Sequence, residues 1–489
     1  MTPDRPAAVV VLAAGEGTRM RSAIPKVLHP IGGRTLVHHA VAAAAELEPD
    51  HLVVVVGHGR DAVATHLTGV APKARTVVQE QQRGTGHAVG CALAELPDLA
   101  GTVVVTYGDV PLLSGETLQA LLEAHTSGDS AVTLLTAHLA DPTGYGRVLR
   151  SADDSVAGVV EHKDANDEQL TIREVNSGIY AFDAATLRDG LSRLTTDNVQ
   201  GELYLTDVLG IAAADGKRVG AIAVSDTWQV EGVNDRVQLA ALGRELNRRT
   251  VERWMRAGVT VLDPATTWIE ADVELGTDVV IEPNTLLRGH TQIATGAAVG
   301  PNCLLVDTQV GAGAAVVNTT SYGAVVGPEA TVGPYTYLRP GTRLGRGAKA
   351  GGFVEMKAAE VGEGAKVPHL SYVGDATIGE GANIGAGTIF ANYDGVAKHH
   401  TDVGAHVFVG SDSVLVAPLE IADGAYVAAG STVTSRVEPG ELAVARGKQR
   451  NIRGWVARRR AGSRTAAAAA EAQARQDGHR AGDEERPTA

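Results

Sequence analysis

A glycine-rich loop with two cationic side chains follows the first apolar segment of the chain. In VVVLAAGEGTRMRSAIPK, four aliphatic residues run into Gly15 and Gly17, and Arg19 and Lys26 come soon after. Glycines let backbone N–H groups approach phosphate oxygens, and the two cations can neutralise phosphate charge. The loop lacks the Gly-Lys-Ser/Thr of a P-loop, and Met20 stands where the dinucleotide-binding fingerprint has its third glycine. The sequence therefore predicts a phosphate site of neither type, although such a loop alone could be a plain turn.

Strand-like and helix-like segments alternate up to about residue 236. The β-rich runs are AAVVVLAAG, HLVVVVGHG, ARTVVQE, GTVVVTYGD and SAVTLLTAHL, and the helical runs include TLVHHAVAAAAELE and GETLQALLEAHTSG. This alternation predicts βαβ units around a mostly parallel sheet. Ligands of such sheets bind outside the carboxyl ends of the strands, which favours the loops after Leu12 and Thr106.

A period of six residues governs the second half of the chain. The aliphatic residues that keep this period are Ile269, Leu275, Ile281, Leu287, Ile293, Val299 and Leu305, then Val326, Val332, Leu338, Leu344 and Ala350, then Val361, Val367 and Val373, and finally Val403, Val409, Leu415, Ile421, Val427 and Val433. Neither a helix nor simple alternation has this period, whereas a parallel β-helix of hexapeptides does. The segment TIFANYDGVAKHHTD breaks the period and predicts a protruding loop that is suited to ligand contacts.

Two further segments complete the predicted organisation. Residues 237–257 have the pattern of one connecting helix that stops at Gly258. The tail has almost no large apolar residue and is predicted to be disordered or a frayed helix. The predicted domains are a Rossmann-like α/β domain over 1–236, the linker helix, a β-helix over 258–456 and a disordered tail over 457–489.

Composition narrows the class of protein. The net charge of −14 supplies no basic field for nucleic acid. No apolar run is long enough to span a membrane. The two cysteines lie far apart in sequence and indicate free thiols in a reducing compartment. These features predict a cytoplasmic protein whose partners are neither nucleic acids nor membranes.

Several short motifs occur in the order known from one family. LAAGEGTRM with a later PK resembles the signature of sugar-nucleotide pyrophosphorylases, and QRGTGHA, TYGDVPLL, PTGYGRV, VVEHKDA, EVNSGIY and EGVNDR follow in that family's order. Together with the hexapeptide half, residues 7–456 resemble the GlmU family of bifunctional N-acetylglucosamine-1-phosphate uridyltransferases and glucosamine-1-phosphate N-acetyltransferases. The resemblance implies a nucleotidyltransferase domain, a helical arm and a left-handed β-helix. It also implies acetyl transfer from acetyl-CoA to glucosamine-1-phosphate, followed by uridyl transfer from UTP with release of pyrophosphate.

The resemblance implies the residues of the uridyltransferase site. Arg19 and Lys26 would hold the triphosphate, and Asp109 and Asn234 would ligate Mg2+. The other implied contacts are Leu12, Ala13, Ala14 and Gly15 for uridine and phosphate, Gln79, Gln82, Gly84 and Thr85 for uracil, Gly146, Glu161 and Asn176 for the sugar, and Tyr107 and Gly108 within the same site. Glu16 departs from the family, in which a lysine or a neutral residue is common, and we expect it to point outward.

The resemblance also implies an acetyltransferase site in the clefts of a homotrimer. His369 in VPHLSYVGD would be the general base, since the attacking amine must lose a proton near neutral pH. Glu355 would orient or polarise the imidazole, and Arg339 and Lys357 would bind the phosphate of the sugar. Further implied contacts are Tyr372 and Asn383 for the sugar, and Ala386, Asn392, Tyr393, Ser411, Ala429 and Arg446 for acetyl-CoA.

Each of these residues also has an ordinary structural interpretation. Asp109 could cap a turn, Glu161 could be a solvated charge and Asn234 could start the arm helix. His369 is one of 16 histidines, and the two cations of the prism could lie on a solvated face. Asp-Gly in ANYDG is a common turn pair in any case.

Two other functions are compatible with parts of the pattern. One is a pyrophosphorylase of a single activity whose β-helix is only structural, but such a helix would have no need of His369, Lys357, Tyr372 and ANYDG. The other is a non-catalytic scaffold like certain exchange-factor subunits of translation initiation. A scaffold has no use for the metal and phosphate residues Asp109, Lys26 and Arg19.

Overall fold

The computed structural model describes residues 5–484, with the side chains placed as far as residue 477. The strands of the N-terminal region are β1 Ala8–Ala13, β2 Pro30–Ile31, β3 Arg34–Thr35, β4 His51–Val56, β5 Arg75–Val78, β6 Thr102–Tyr107, β7 Val132–His138, β8 Arg147–Arg150, β9 Val156–Val160, β10 Glu174–Asp183 and β11 Val219–Val224. The α-helices are α1 Leu36–Glu46, α2 Arg60–Val70, α3 Thr85–Ala94, α4 Gly115–Ser127, α5 Asp167–Leu170, α6 Ala184–Ser192, α7 Asp207–Ala214, α8 Arg236–Arg256, α9 Trp455–Arg459 and α10 Arg464–Glu484.

The main N-terminal sheet has the order β11-β7-β10-β6-β1-β4-β5. All neighbouring pairs are parallel except those of β10, which runs antiparallel to β6 and β7 and carries the β8–β9 hairpin. The five β-rich runs are strands, which confirms the mostly parallel sheet. The sequence analysis does not predict β10, because Asn176 and Gly178 interrupt its apolar residues where its register against β7 shifts.

The second half is a β-helix whose parallel strands form three long ladders, two of which are joined by the long strands Glu355–Val361 and Tyr372–Ile378. The strands of the first ladder are Thr260–Val261, Val280–Ile281, Ala298–Val299, Ala315–Val316, Thr331–Val332, Lys349–Gly352, Lys366–His369, Asn383–Ile384, Phe408–Val409, Tyr426–Val427 and Leu442–Ala443. Those of the other two are Trp268–Ile269, Glu274–Leu275, Leu286–Arg288, Gln292–Ile293, Leu304–Val306, Gln309–Val310, Thr319–Tyr322, Val325–Val326, Thr336–Leu338, Arg343–Leu344, Glu355–Val361, Tyr372–Ile378, Ile389–Ala391, Thr401–Val403, Val414–Val416, Leu419–Ile421 and Thr432–Val433.

Every residue of the period-six series is buried in one continuous core. One coil takes three hexads, so that Ile269 pairs with Leu287 and Leu287 with Leu305. The slip in the sequence consists of successive coils that are one or two residues shorter, in which Ile293 pairs with Val310 and Val310 with Val326. The predicted left-handed β-helix of hexapeptides is therefore confirmed.

The predicted loop leaves the prism between the strands Ile389–Ala391 and Thr401–Val403, within the coil whose ends Ile378 and Val403 are register partners. Its tip is held by a single bridge between Tyr393 and Lys398, and Val396 is 91% exposed. The loop thus protrudes from the repeat as the broken period predicts.

Helix α8 connects the two halves. Asp235 caps its start by accepting from the N–H groups of Val237 and Gln238, and Gly258, with φ of +96°, follows its end. The amide of Asn247 donates to the carbonyl of Thr267 and accepts from the N–H of Ile269, which ties the helix to the first coil.

A short loop of the N-terminal domain also rests on the first coil. Arg34 forms an ion pair with Asp272, and the N–H of Ala271 donates to the carbonyl of Gly32 at 2.8 Å. Gly32 in this loop has φ of +55°, a backbone conformation that favours glycine, and a Cβ there would also lie 2.7 Å from Cδ2 of Leu246. The arm and the first coil therefore hold the two halves in direct contact.

The sequence leaves two possibilities for the tail after residue 456, disorder or a frayed helix. The described residues follow the helical one, with α9 and, over most of the rest, the helix α10. The run of alanines accounts for this, because alanine has the highest helix propensity. Almost every side chain described from Gly447 to Asp477 is exposed, so the tail adds no core.

Neighbouring leucines of one strand provide a test of the prism core. Leu287 is fully buried and Leu286 is 37% exposed. We expect Leu287→Ala to lower the free energy of unfolding by about 2–5 kcal/mol, because it leaves a cavity between coils. Leu286→Ala is the matched control and should cost less than about 1 kcal/mol. Chemical denaturation followed by circular dichroism measures both, and equal losses would contradict the inward role of the period-six residues.

Candidate active sites

A cavity of about 390 Å³ opens at the carboxyl ends of β1 and β6. Its walls come from the loop after β1, the segment before α3, the end of β6 and the start of α8. The lining residues are Leu12, Ala13, Ala14, Gly15, Lys26, Val27, Gln79, Gln82, Gly84, Thr85, Ala88, Tyr107, Asp109, Glu202 and Asn234. The structure thus brings together most of the residues that the sequence predicts for UTP.

The loop after β1 is shaped by its glycines. Gly17 has φ of +64°, and a Cβ there would lie 2.6 Å from the Cβ of Lys26. Both the backbone conformation and the contact therefore require glycine. The glycine lets the loop fold back so that Lys26 reaches the cavity, and Glu16 is exposed as expected.

Two cation–oxygen pairs meet at the cavity. Lys26 is paired with Asp109, and both side chains are mostly buried, at 13% and 16% exposure. Arg19 donates from Nη2 to Oδ1 of Asn234 at 2.8 Å. Each residue predicted to bind phosphate therefore holds one residue predicted to bind metal.

The donor set at this end of the cavity suits magnesium. Asp109 supplies one carboxylate and Asn234 one amide oxygen, which are hard oxygen ligands. Among the described residues, no group of three or more His, Cys, Asp or Glu side chains is arranged to hold a metal ion. A metal here would therefore depend on phosphate oxygens and water for its remaining ligands, as Mg2+ commonly does.

The predicted uracil residues lie side by side on another wall. Gln82 donates from Nε2 to the carbonyl of Ala14 at 2.6 Å, and Gln79 donates from Nε2 to the carbonyl of Gly84 at 3.1 Å. Thr85 accepts from the N–H of Leu205 at 3.1 Å. A Cβ on Gly84 would lie 2.6 Å from the carbonyl oxygen of Leu203, so glycine is needed there.

The predicted sugar residues form a buried group next to the cavity. Oδ1 of Asn176 accepts from the N–H of Gly178 and from the hydroxyl of Tyr180, both at 2.9 Å. The N–H of Asn176 donates to the carbonyl of Gly146 at 2.9 Å. Antiparallel β10 thus positions Asn176, so a strand that the sequence analysis does not predict carries a predicted site residue.

Burial changes the pKa values of Glu161 and Tyr107 in this region. Burial raises the pKa of Glu161, and the hydrogen bond from Thr206, 3.3 Å long, lowers it in part. Asp164 and Asp207 add to the rise. Burial also raises the pKa of Tyr107 well above its ordinary value. Glu161 therefore has an environment that penalises its charged form.

The second predicted site lies along one corner of the β-helix. The N–H of Gly387 donates to the carbonyl of His369, that of Asp412 to Ala386, and that of Gly430 to Ser411. These bonds stack His369, Ala386, Ser411 and Ala429 in one column parallel to the prism axis, which we call the corner column. Arg446 donates from Nη1 to the carbonyl of Ala429 at 2.8 Å and ends this column.

Charged residues lie on the adjoining face. Arg339 donates to Glu355 at 3.0 Å, and Lys357 lies 3.2 Å from Asp375. Tyr372 is the register partner of Glu355 in the next coil. The predicted phosphate and sugar residues are therefore grouped on consecutive coils.

Asp375 is a residue of this face that the sequence does not single out. It accepts from Lys357 and, at 2.5 Å, from Nδ2 of Asn392, which comes from the protruding loop. Burial raises its pKa, but these hydrogen bonds hold that pKa below its ordinary value. No signal in YVGDAT marks this aspartate, because only the stacking of coils brings it to Lys357.

Three residues that line the first cavity were also not predicted from the sequence. They are Val27, Ala88 and Glu202.

Three predicted residues are placed differently from the rest. Glu355 is bonded to Arg339, and within residues 5–477 no side-chain hydrogen bond joins it to His369. Tyr393 is 60% exposed in the protruding loop and donates to the carbonyl of Gly395. Asn383 does not belong to the ladder of Tyr372. It is the partner of Lys366, in the ladder that contains the strand Lys366–His369. In the single chain, His369 itself is exposed.

Comparisons with known proteins agree with this arrangement. The family model of MobA-like NTP transferase domains matches residues 9–166. A Streptomyces avermitilis protein named Bifunctional protein GlmU is 59% identical over 480 residues, which cover 98% of this chain and 100% of that protein. Proteins of the same name from Streptomyces coelicolor and Corynebacterium aurimucosum are 58% and 57% identical, covering 97% and 95% of this chain and 99% and 96% of theirs. No helix of the described residues is long and apolar enough to cross a membrane.

The raised pKa of Glu161 predicts a stability effect. When the pKa of an acid is higher in the folded state than in the unfolded state, the folded state is destabilised as pH rises through that folded pKa. We therefore expect Glu161→Gln to raise the thermal midpoint at pH 8, since Gln can still accept from Thr206. The gain should vanish as pH falls below the ordinary carboxyl range. Differential scanning fluorimetry from pH 4 to 8 measures it, with exposed Glu168→Gln as control; a gain independent of pH would contradict the buried charge.

Proposed function

The chain belongs to the bifunctional GlmU family, whose two transferase activities together make UDP-N-acetylglucosamine, and we propose that the cavity at the carboxyl end of the sheet performs the uridyl transfer while the corner column performs the acetyl transfer. The alternatives of a single-activity pyrophosphorylase and of a non-catalytic scaffold are set aside by this membership. The nucleotide and acetyl-CoA are accordingly substrates.

The observation that carries the first assignment is the pair of cation–oxygen contacts in the cavity. Lys26 and Arg19 each lie against an oxygen donor that suits Mg2+, at the end of the sheet where phosphates bind. With a triphosphate present, both cations gain phosphate oxygens and Asp109 and Asn234 become free to face a metal. Bound Mg2+ would supply charge neutralisation on the phosphates.

The chain's own residues then perform the transfer by positioning and electrostatics. The phosphate of N-acetylglucosamine-1-phosphate attacks the α-phosphorus of UTP, pyrophosphate leaves, and no protein nucleophile is needed. Arg19 and Lys26 stabilise the charge that develops on the departing pyrophosphate. Gln79, Gln82, Gly84 and Thr85 bind the uracil, and Gly146, Glu161 and Asn176 bind the sugar.

The second assignment rests on the corner column. Its backbone stacking places His369 in line with Ala386, Ser411 and Ala429, which we propose line the acetyl-CoA groove. A thioester bound along this column lies with one end next to the imidazole. His369 takes the proton of the amine as the acetyl carbon is attacked, and the CoA thiolate leaves. Arg446 is suited to a phosphate of CoA.

Arg339 and Lys357 bind the phosphate of the amino sugar, with Tyr372 and Asn383 at its hydroxyls and Asn392 and Tyr393 at acetyl-CoA. Because Glu355 accepts from Arg339, we propose that it positions this guanidinium. This role replaces the expected orientation of His369 by Glu355, since no side-chain bond joins those two residues in the described part of the chain.

We propose that three copies assemble through the β-helix. Tyr335, Phe353 and Leu370 stand next to the corner column with exposures of 60%, 62% and 61%. The rings of Tyr335 and Phe353 are stacked at 5.1 Å. Such an apolar column beside an open site is typical of a surface that a second copy covers. A trimer would place each acetyltransferase site in a cleft between two prisms.

The proposed domain boundaries follow the same division. The uridyltransferase domain covers residues 1–236, the linker 237–257, the acetyltransferase domain 258–456 and the tail 457–489. Both cysteines are unpaired, in keeping with a cytoplasmic location.

One assay tests both assignments. Purified protein receives Mg2+, acetyl-CoA, glucosamine-1-phosphate and UTP, and free thiol and pyrophosphate are followed separately. We expect both products, with pyrophosphate dependent on acetyl-CoA. Asp109→Ala should abolish pyrophosphate release and leave thiol release near normal, whereas His369→Ala should abolish thiol release and leave uridyl transfer to supplied N-acetylglucosamine-1-phosphate.

Matched controls are exposed residues of the same kinds, Asp98→Ala and His290→Ala. Both controls should retain both activities. Loss of both activities from a folded Asp109→Ala or His369→Ala protein would contradict two independent sites. Pyrophosphate without thiol would contradict the assignment of the corner column.

The tail provides a separate prediction. Its described side chains are almost all exposed, so a protein that ends at residue 456 should keep both activities. The same two products measured on the shortened protein test this. A large loss of acetyl transfer would show that the tail contributes to the cleft between copies.

A further inference from the structure

The side-chain amide of Gln79 is held from two directions. Its Nε2 lies 3.1 Å from the carbonyl oxygen of Gly84 and 3.1 Å from Nδ1 of His87. A carbonyl oxygen can only accept, so the nitrogen of the amide must face Gly84. The amide nitrogen has two hydrogens, and these two contacts use both.

These contacts determine the tautomer of the His87 ring. Because Nε2 of Gln79 donates, Nδ1 of His87 must accept, and the neutral ring then has its proton on its own Nε2. That ring nitrogen lies 3.8 Å from Sγ of Cys91, one turn further along α3. The ring is therefore held at both nitrogens.

The oxygen of the Gln79 amide is left for a ligand. Gln79 is 5% exposed and lines the cavity, and its Oε1 makes no hydrogen bond with the residues between 5 and 477. If the amide were reversed, Oε1 would face the carbonyl oxygen of Gly84, which is also an acceptor. The contacts of the buried nitrogen thus present an acceptor, and not a donor, to the cavity.

We propose that His87 is a positioning residue that sets the base selectivity of the uridyltransferase site by holding Gln79 with Oε1 toward the base. Uracil carries N3–H, a donor that pairs with this oxygen. Cytosine has an unprotonated N3 at the same place, so two acceptors would meet. This role rests on the proposed uridyl transfer in this cavity, and it assigns a function to the histidine of QRGTGHA.

Gln82 shows the same kind of restraint without a histidine. Its Nε2 donates to the carbonyl of Ala14 at 2.6 Å. Gln79 differs because one of its two partners is a side chain, so a single substitution can release half of the restraint without altering the backbone. The carbonyl of Gly84 remains, and we therefore expect weakened selectivity and not a reversal.

The experiment compares UTP with CTP on the full-length enzyme. With Mg2+ and N-acetylglucosamine-1-phosphate, pyrophosphate release gives kcat/KM for each nucleotide. We expect His87→Ala to lower the UTP-to-CTP ratio of kcat/KM about tenfold, the effect of one lost hydrogen bond. The change should appear mainly in KM for UTP, because His87 acts through Gln79 and touches no reacting atom.

Two further variants distinguish a positioning role of His87 from a role in packing. His87→Asn keeps an acceptor near the place of Nδ1 and should restore most of the ratio. Cys91→Ala removes the other contact of the ring from the same helix face and should leave the ratio within about twofold of the natural enzyme. The circular dichroism spectrum and thermal midpoint of each sample show whether the protein is folded, and if His87→Ala is not folded, the comparison of His87→Asn with Cys91→Ala decides.

The outcomes are distinct. A UTP-to-CTP ratio in His87→Ala that equals that of the natural enzyme would overturn the proposal. So would a His87→Asn protein that behaves like His87→Ala, because packing alone would then explain the loss. A natural enzyme that transfers acetyl groups but releases no pyrophosphate from UTP would instead contradict the proposed function of the cavity, on which the role of His87 rests.

Discussion

Parallel backbone ladders determine where both candidate sites lie. In the sheet, the pairing of Leu12 with Tyr107 sets the loop after β1 beside the loop that carries Asp109. In the prism, the ladder through the corners stacks His369, Ala386, Ser411 and Ala429 in one column. In each half, residues distant in sequence meet because strands run side by side in register, and the side chains at their ends or corners are brought into line.

The charge arrangement in the first cavity follows from that placement. A lysine and an aspartate that are both mostly buried need each other, because an isolated buried charge is costly. The pairing of Lys26 with Asp109 therefore keeps the cavity stable without a nucleotide. In the function proposed for this cavity, a triphosphate and its metal would replace this pair by two new pairs of opposite charge, so the charges would be balanced in both states.

The two halves use polar groups in different ways. The cavity holds its side chains by hydrogen bonds to fixed backbone carbonyls, as at Gln79 and Gln82, which gives a rigid shape for one base. The corner column leaves His369 exposed beside an apolar surface, and its environment is incomplete in the single chain. A rigid pocket suits recognition within one chain, whereas an open corner suits a site that a neighbouring copy closes.

The amino-acid sequence by itself determined the two architectures and most residues of the first cavity. Aliphatic residues every six positions specify the prism because each must enter the same narrow core, and glycines such as Gly17 specify the loop because no other residue accepts both its φ and its contact with Lys26. Only the tertiary structure decided that β10 enters the sheet antiparallel, that Asp375 meets Lys357, that Glu355 faces Arg339 and that His87 holds Gln79. The last three are contacts between side chains that lie apart in the sequence. Local sequence patterns do not specify which neighbour a polar side chain meets once coils and strands have stacked.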